Sequence, residues 1–293
     1  KMQAYPILSE YLIKTFNKKI VKLPIDGGFT CPNRINNKKG CLFCSDTGSG
    51  EFTYKGYSIS DQIELQKKRL ENKKIYNRDI SYIAYFQNFT NTYDSVENLR
   101  YKYTQALSCK DIVGLAIATR PDCINNEILE LLKEINNLTH LWIELGLQSS
   151  NENTAELIER GYNNQVFELC VNNLHLNSIK TVAHIIFGLP NETKKDYYKT
   201  VYYVKSLGMW GIKIHSLYIQ KSTRLYDYYF KNPFHILSRN EYTEAVSESI
   251  KILDNQLIIH RLTGDCEKSL LFEPKWSLDK LKVISEINRK LSV

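Results

Sequence analysis

No stretch of the 293 residues approaches the ~18 uninterrupted apolar residues that a membrane-spanning helix requires. The most apolar segment, Thr181 to Pro190, is short and carries His184 inside it. The N-terminal residues lack a basic flank followed by an apolar run, so the expectation is a chain without a secretory signal or membrane association, working in the cytoplasm. No Pro-, Gly- or Ser-rich linker, low-complexity tract or long repeat interrupts the chain, and a single domain over 1–293 is the simplest reading. Charge of one sign is not in large excess either. Lys+Arg 39 against Asp+Glu 32 leaves a formal net charge of +7, which permits an acidic partner such as nucleic acid without requiring one. With 24% charged and 43% hydrophobic residues, a disordered or fibrous chain is excluded.

What is present is a concentration of thiols. Of seven cysteines, Cys31, Cys41 and Cys44 crowd into one segment with the spacing C-x9-C-x2-C, while Cys109, Cys123, Cys170 and Cys266 are scattered singly and suggest no role. In a reducing compartment such a cluster reads as metal ligands rather than disulfides. The segment contains Pro32, Gly40 and several Asn and Lys, has no periodicity of its own, and needs something to order it. No Cys or His follows Cys44 until Cys109, so a closed four-ligand zinc site lacks its local fourth ligand. Three thiolates suit an iron–sulfur cluster with one iron left open to a small molecule, against which Phe43 would lie. Zinc completed by a distant residue is the alternative.

Strand-like runs recur at intervals of roughly thirty residues, each followed by a helical pattern. The predicted strands are Ile20–Ile25, Ile80–Phe86, Ile112–Ala118, His140–Leu147, Thr181–Phe187, Gly211–Ile219 and Leu257–Leu262. Helices are expected over Ser60–Asn72 with Ser60 as cap, Ser95–Leu107, Asn125–Ile135, Glu152–Leu176, Lys194–Leu207, Asn240–Leu253 and Leu278–Leu291. This alternation predicts an α/β fold with a parallel sheet, a full or partial (β/α) TIM-like barrel whose chemistry sits at the C-terminal strand ends. Polar residues do fall there: Gln87 to Thr92, Thr119-Arg120, Glu144 to Ser150, His184, Lys213 with His215, and Arg261 to Asp265. Barrel interiors are usually filled by Val, Ile and Leu, so this set points to one polar site over the barrel mouth.

At this point the residues resemble a known family. Three cysteines after the first strand of a partial barrel, an aromatic before the last, are similar to the radical S-adenosylmethionine (SAM) enzymes. The spacing and the phrases Asp26 to Arg34, Tyr85 to Tyr93, Thr119 to Asp122, Glu144 to Gln148 and Leu262 to Asp265 resemble the YtqA/YhcC-like (MnmL) group, which is related to the radical SAM domain of the Elongator catalytic subunit. The group usually has Arg-Asp-Gly where this chain has Arg34-Ile35-Asn36, and often a His at the place of Tyr162.

The resemblance implies a radical-SAM-type partial barrel of about six βα units, with a core near 20–220 and a C-terminal extension near 221–293. It implies that Cys31, Cys41 and Cys44 hold a 4Fe-4S cluster whose open iron takes SAM. It further implies SAM contacts by Phe43, by the Tyr85-Phe86-Gln87 turn, by Glu144, Gln148 and Arg160, by His184 and by Gly188, with Arg160 facing the methionine carboxylate. The implied reaction is a tRNA wobble-uridine modification, carboxymethylaminomethyl-uridine to aminomethyl-uridine with or without 2-thio, with flavodoxin or ferredoxin as reductant. Alternatives are a porphyrin-like or other small substrate, and a structural zinc or electron-transfer protein. Candidate tRNA contacts are Lys38, Lys39, Lys67, Lys68, Arg69 and the aromatics of Tyr226 to Phe230.

Overall fold

In the computed structural model, which describes residues 5–48, 53–71 and 79–292, seven strands form one all-parallel sheet in the order β1-β2-β3-β4-β5-β6-β8. They are β1 (Lys19–Ile25), β2 (Ile80–Phe86), β3 (Ile112–Thr119), β4 (His140–Gln148), β5 (Lys180–Phe187), β6 (Gly211–Ser216) and β8 (Ile258–Arg261). Helices α2 (Ile59–Glu71), α3 (Val96–Leu107), α4 (Asn126–Leu138), α5 (Glu152–Leu157) with α6 (Asn164–Leu176), α7 (Lys194–Ser206) and α9 (Arg239–Leu253) fill the connections, and α10 (Lys280–Leu291) packs on α9. The expected partial barrel is therefore present, and its last strand comes from the segment read as an extension.

Sequence chemistry places most boundaries. Ser95, Asn125, Asn163 and Ser238 each accept a hydrogen bond from the backbone two or three residues into a helix, satisfying donors the helix cannot. Ile128, Leu131, Leu132 and Ile135 recur on one stripe of α4 and are buried. Two expectations need correction, the cap of α2 and the strand Gly211–Ile219. The cap of α2 is Ser58, whose Oγ accepts from Asp61 N at 3.1 Å, not Ser60; Asn72 lies outside the described residues. The helical stretches expected across Glu152–Leu176 are two helices, with Gly161 at φ +86° between them. The run Gly211–Ile219 is two strands: β6 ends at Ser216, and β7 (Ile219–Gln220) pairs antiparallel with β9 (Leu271–Glu273) in a separate ribbon.

Strand alternation divides the sheet into two faces. Outward residues such as Ala84, Ile117, Ile143, Leu145, Ile185 and Ile214 pack under the helices in the main core. Inward residues Ile83, Tyr85, Ala116, Ala118, Trp142 and Val182 form a second cluster with Leu8 and Leu12 of α1 (Leu8–Phe16), a helix the sequence reading does not find. The residues just ahead of α1 pair with the edge of β8, Ile259 N donating to Pro6 O at 2.8 Å, so α1 lies across the N-terminal mouth of the barrel. The helix α8 (Arg224–Lys231) follows β7 near the other mouth.

Asn91 joins two strand ends at that upper mouth. Its Nδ2 donates to Phe86 O at 3.2 Å and Ala118 O at 2.7 Å, and its own carbonyl accepts from the Tyr103 hydroxyl. Asn91→Ala removes both side-chain bonds and leaves Ala118 O the backbone N–H of residue 91, and urea denaturation is expected to show a loss of about 1–3 kcal/mol. An unchanged midpoint would show that water replaces the amide.

Candidate functional site

The cysteine loop is pinned by its own polar residues. Asn33 donates through Nδ2 to Glu159 O at 2.7 Å and lies 3.5 Å from Cys41 Sγ, while its carbonyl receives Gly40 N at 2.6 Å. Arg34 reaches along the loop to Cys44 O at 3.2 Å and to Ser45 O. Arg224, on α8, binds Gly40 O and the Glu159 carboxylate, and Leu42 exchanges backbone bonds with Ile158 and Leu225. The loop is thus held between the α5 turn and α8, which presents Cys31, Cys41 and Cys44 to a single cavity of about 240 Å³. All three are free thiols, and burial, with Cys44 nearby, pushes the Cys41 thiol up to about 12. Among the described residues no three His, Cys, Asp or Glu side chains are placed to hold a single metal ion; the three thiols are spread around the cavity mouth. As soft donors lining a recess, they fit an iron–sulfur cluster.

The floor of the cavity is ionic. Glu144, from the middle of β4 and 1% exposed, accepts from Trp142 Nε1 at 2.8 Å, from His184 Nε2 at 2.7 Å and from Lys213 Nζ. Lys213 also reaches the Tyr85 hydroxyl at 3.0 Å, and Lys22 stands 4.0 Å from the carboxylate. Burial opposes ionisation of Glu144, but Lys213 and Lys22, then His184, overcome it and hold the carboxyl well below its usual range. His184 is driven down to about 4 by burial and by Lys213, so at neutral pH it is uncharged and donates Nε2–H to a carboxylate that can only accept.

Of the expected site residues, Cys31, Cys41, Cys44, Phe43, Tyr85, Gln87, Glu144, Gln148 and His184 line this one cavity. Gln148 is aimed there by a bulge that breaks the β4–β5 register between Gly146 and Gln148, where its φ is +59°. Three do not line it. Phe86 is fully buried against Tyr103 on the helix side. Gly188 takes φ +96° beneath Leu217 and Leu237, outside the cavity. Arg160, 0% exposed, spends its guanidinium on Leu147 O, Ser149 O, Tyr162 O, Glu152 and Asn164. It organises the turn after β4 and has nothing left for a methionine carboxylate. The arginines that do line the cavity are Arg34, Arg120 and Arg261, of which Arg120 is held by Asp122 at 2.9 and 2.7 Å over the ring of Tyr162. The sequence reading passes over Lys22; its signal was the period of two, which turns it inward on β1. Among the proposed RNA contacts, Lys67 is buried against Glu64 and Lys110 O, whereas Lys38, Lys39, Lys68 and Arg69 are exposed. The aromatics of α8 largely pack on one another and on Phe234 and Phe272.

Two outcomes follow from these burials. Because the Glu144 carboxyl is depressed, its contribution is complete above about pH 4.3 and is lost as pH falls towards the folded value. Glu144→Gln strands Lys213 and is expected to cost about 3–5 kcal/mol in urea denaturation at pH 7, with much of the difference from wild type erased in acid. Arg160→Gln is likewise expected to destabilise by about 3–5 kcal/mol while leaving the SAM dissociation constant of the folded fraction unchanged. A selective loss of SAM binding would return Arg160 to the cofactor.

Comparison with known proteins matches this geometry. The Radical SAM superfamily model fits residues 29–203 and the Radical_SAM C-terminal domain fits 209–292. YtqA of Bacillus subtilis is 40% identical over 98% of this chain and 89% of its own length, and YhcC of Escherichia coli is 31% identical over 96% and 90%. A tRNA uridine(34) acetyltransferase of Methanocaldococcus infernus is 25% identical over 55% of this chain and 30% of its own. The solved structure of M. infernus Elp3 superposes with a TM-score of 0.70 at 16% identity, covering 92% of this chain and 63% of that one. That superposition confirms the fold. Family match, cysteine spacing and partial barrel together establish that this chain belongs to the radical SAM superfamily, enzymes that use a 4Fe-4S cluster and SAM.

Proposed function

We propose that this radical SAM enzyme modifies tRNA at the wobble uridine, converting carboxymethylaminomethyl-uridine to aminomethyl-uridine, with or without 2-thio. The observation that carries the reading is one cavity with three thiols at its rim and an ionised, hydrogen-bonded floor beneath them. Support for an RNA substrate comes from the similarity to the named tRNA uridine(34) acetyltransferase and from exposed Lys38 and Lys39 beside the cysteine loop.

In this reading Cys31, Cys41 and Cys44 hold the cluster, and Phe43, Gln87 and Gln148 border SAM. When bound there, cluster and cofactor would supply the radical chemistry needed to remove a hydrogen atom from the substrate. The chain's own residues do the rest. Asn33 and Arg34 fix the loop that carries the thiols, so loss of either loosens the rim. The Glu144–Lys213–Tyr85 set, held by Trp142 and His184, keeps the floor polar and fixed, so a substrate group entering it meets preset donors rather than mobile water. A low-potential flavodoxin or ferredoxin would deliver the electron.

Nucleoside mass spectrometry of tRNA from cells with and without the protein tests this. Deletion is expected to accumulate the carboxymethylaminomethyl nucleoside, and unchanged wobble nucleosides would sink the substrate assignment. Cys44→Ala is expected to leave reconstituted protein without cluster absorbance and without 5′-deoxyadenosine formation. Retention of both would remove Cys44 from the ligand set.

A further inference from the structure

The floor of the cavity holds more positive charge than it can neutralise. In the sheet register His184 stands opposite Lys213, and Lys213 stands opposite Arg261, so two cations face each other across β6 and β8. A bulge between Ile212 and Lys213 brings this about, turning Arg261 to the cavity side. Like charges directly opposite on neighbouring strands repel; Lys213 is buried while Arg261 is partly exposed at the cavity side. Lys22 adds a third cation near the same point, and all three share Glu144 and Asp265.

Asp265 is a weak partner for Arg261. The contact is a single one of 3.4 Å, and the carboxylate is also bound by Lys280 of α10. Of the five N–H groups on the Arg261 guanidinium, that is the one hydrogen bond made among the described residues. Beside it His215 keeps Nε2 buried without a partner. The cations nearest the thiols are different ones, Arg120 and Arg34. The excess charge on the floor therefore belongs to another ligand group than the one beside the cysteines.

We infer that the floor of the cavity is a carboxylate-binding pocket in which the Arg261 guanidinium, with Lys213 beside it, receives a carboxylate carried by the substrate. A planar carboxylate matches the free fork of an arginine in two parallel hydrogen bonds and relieves the Lys213–Arg261 repulsion at the same time. This deepens the tRNA reading and rests on it for the identity of the carboxylate, that of the carboxymethylamino arm. Recognition by Arg261 would then separate this substrate from uridines whose arm ends in an amine or a methyl group, because those leave the cations unneutralised.

The test uses the anaerobically reconstituted enzyme with SAM and two small probes, N-benzylglycine, which carries an aryl-CH2-NH-CH2-carboxylate arm, and benzylamine, which lacks the carboxylate. Calorimetric titration is expected to show N-benzylglycine binding about tenfold or more tightly than benzylamine, a preference erased by Arg261→Gln and partly restored by Arg261→Lys. On tRNA bearing carboxymethylaminomethyl-uridine, Arg261→Gln is expected to raise KM about tenfold with a smaller change in kcat and no change in SAM affinity. Equal affinity of the two probes for wild-type protein overturns the inference. So does an Arg261→Gln variant that weakens SAM as much as N-benzylglycine, since the arginine would then serve the cofactor. If the probe preference holds while tRNA nucleosides are untouched by the enzyme, the carboxylate pocket stands and the tRNA assignment falls.

Discussion

Glu144 is the carboxylate around which the interior of this barrel is arranged. A barrel of this size ordinarily fills its lumen with branched aliphatic side chains. Here two lysines, two histidines, a tyrosine and an indole N–H converge on one buried anion. Removing the anion would leave Lys213 buried without a counter-charge, and the lumen could then be polar only by admitting water. The pair is costly as a stabiliser compared with well-packed apolar residues, so its presence in the floor of the cavity fits a site kept for chemistry and not for folding.

The division of labour between the two faces of the sheet follows from this. The outward face carries the fold: Leu145, Ile143, Ile185 and their neighbours bury against helices and need no help from the lumen. The inward face is thereby released from packing duty above the level of Trp142, and the bulges at Gln148 and Arg261 use that freedom to re-aim single side chains. Elements outside the barrel complete the rim. Arg224 on α8 ties Gly40 to Glu159, so the cysteine loop depends on residues nearly two hundred positions away in sequence.

The strands were legible because their apolar runs are bounded by turn residues and β-branched. The site was legible at the level of strand ends, since polar residues there have no packing reason to exist. What sequence could not supply was direction. The family resemblance implies that Gln148 and Arg160 both contact SAM, yet a bulge points one into the cavity while the turn encloses the other among carbonyls. Phe86 and Tyr85 are neighbours in sequence and face opposite sides of the sheet, a parity that becomes fixed only with the register. Ser60 reads as the cap of α2, but the helix begins earlier, at Ile59, and it is Ser58 Oγ that accepts from Asp61 N. The helix α1 escaped notice because its burial partners lie inside the barrel rather than along a neighbouring βα unit.

That same α1, lying across the lower mouth with Tyr11 against Trp210 and with Trp142 and His260 just above, makes the lumen a blind vessel. On the proposed reading, cofactor and substrate would both enter from the side of the cysteine loop, opposite α1. On that reading, a reactive carbon intermediate would be shielded from below by aromatic rings instead of by water.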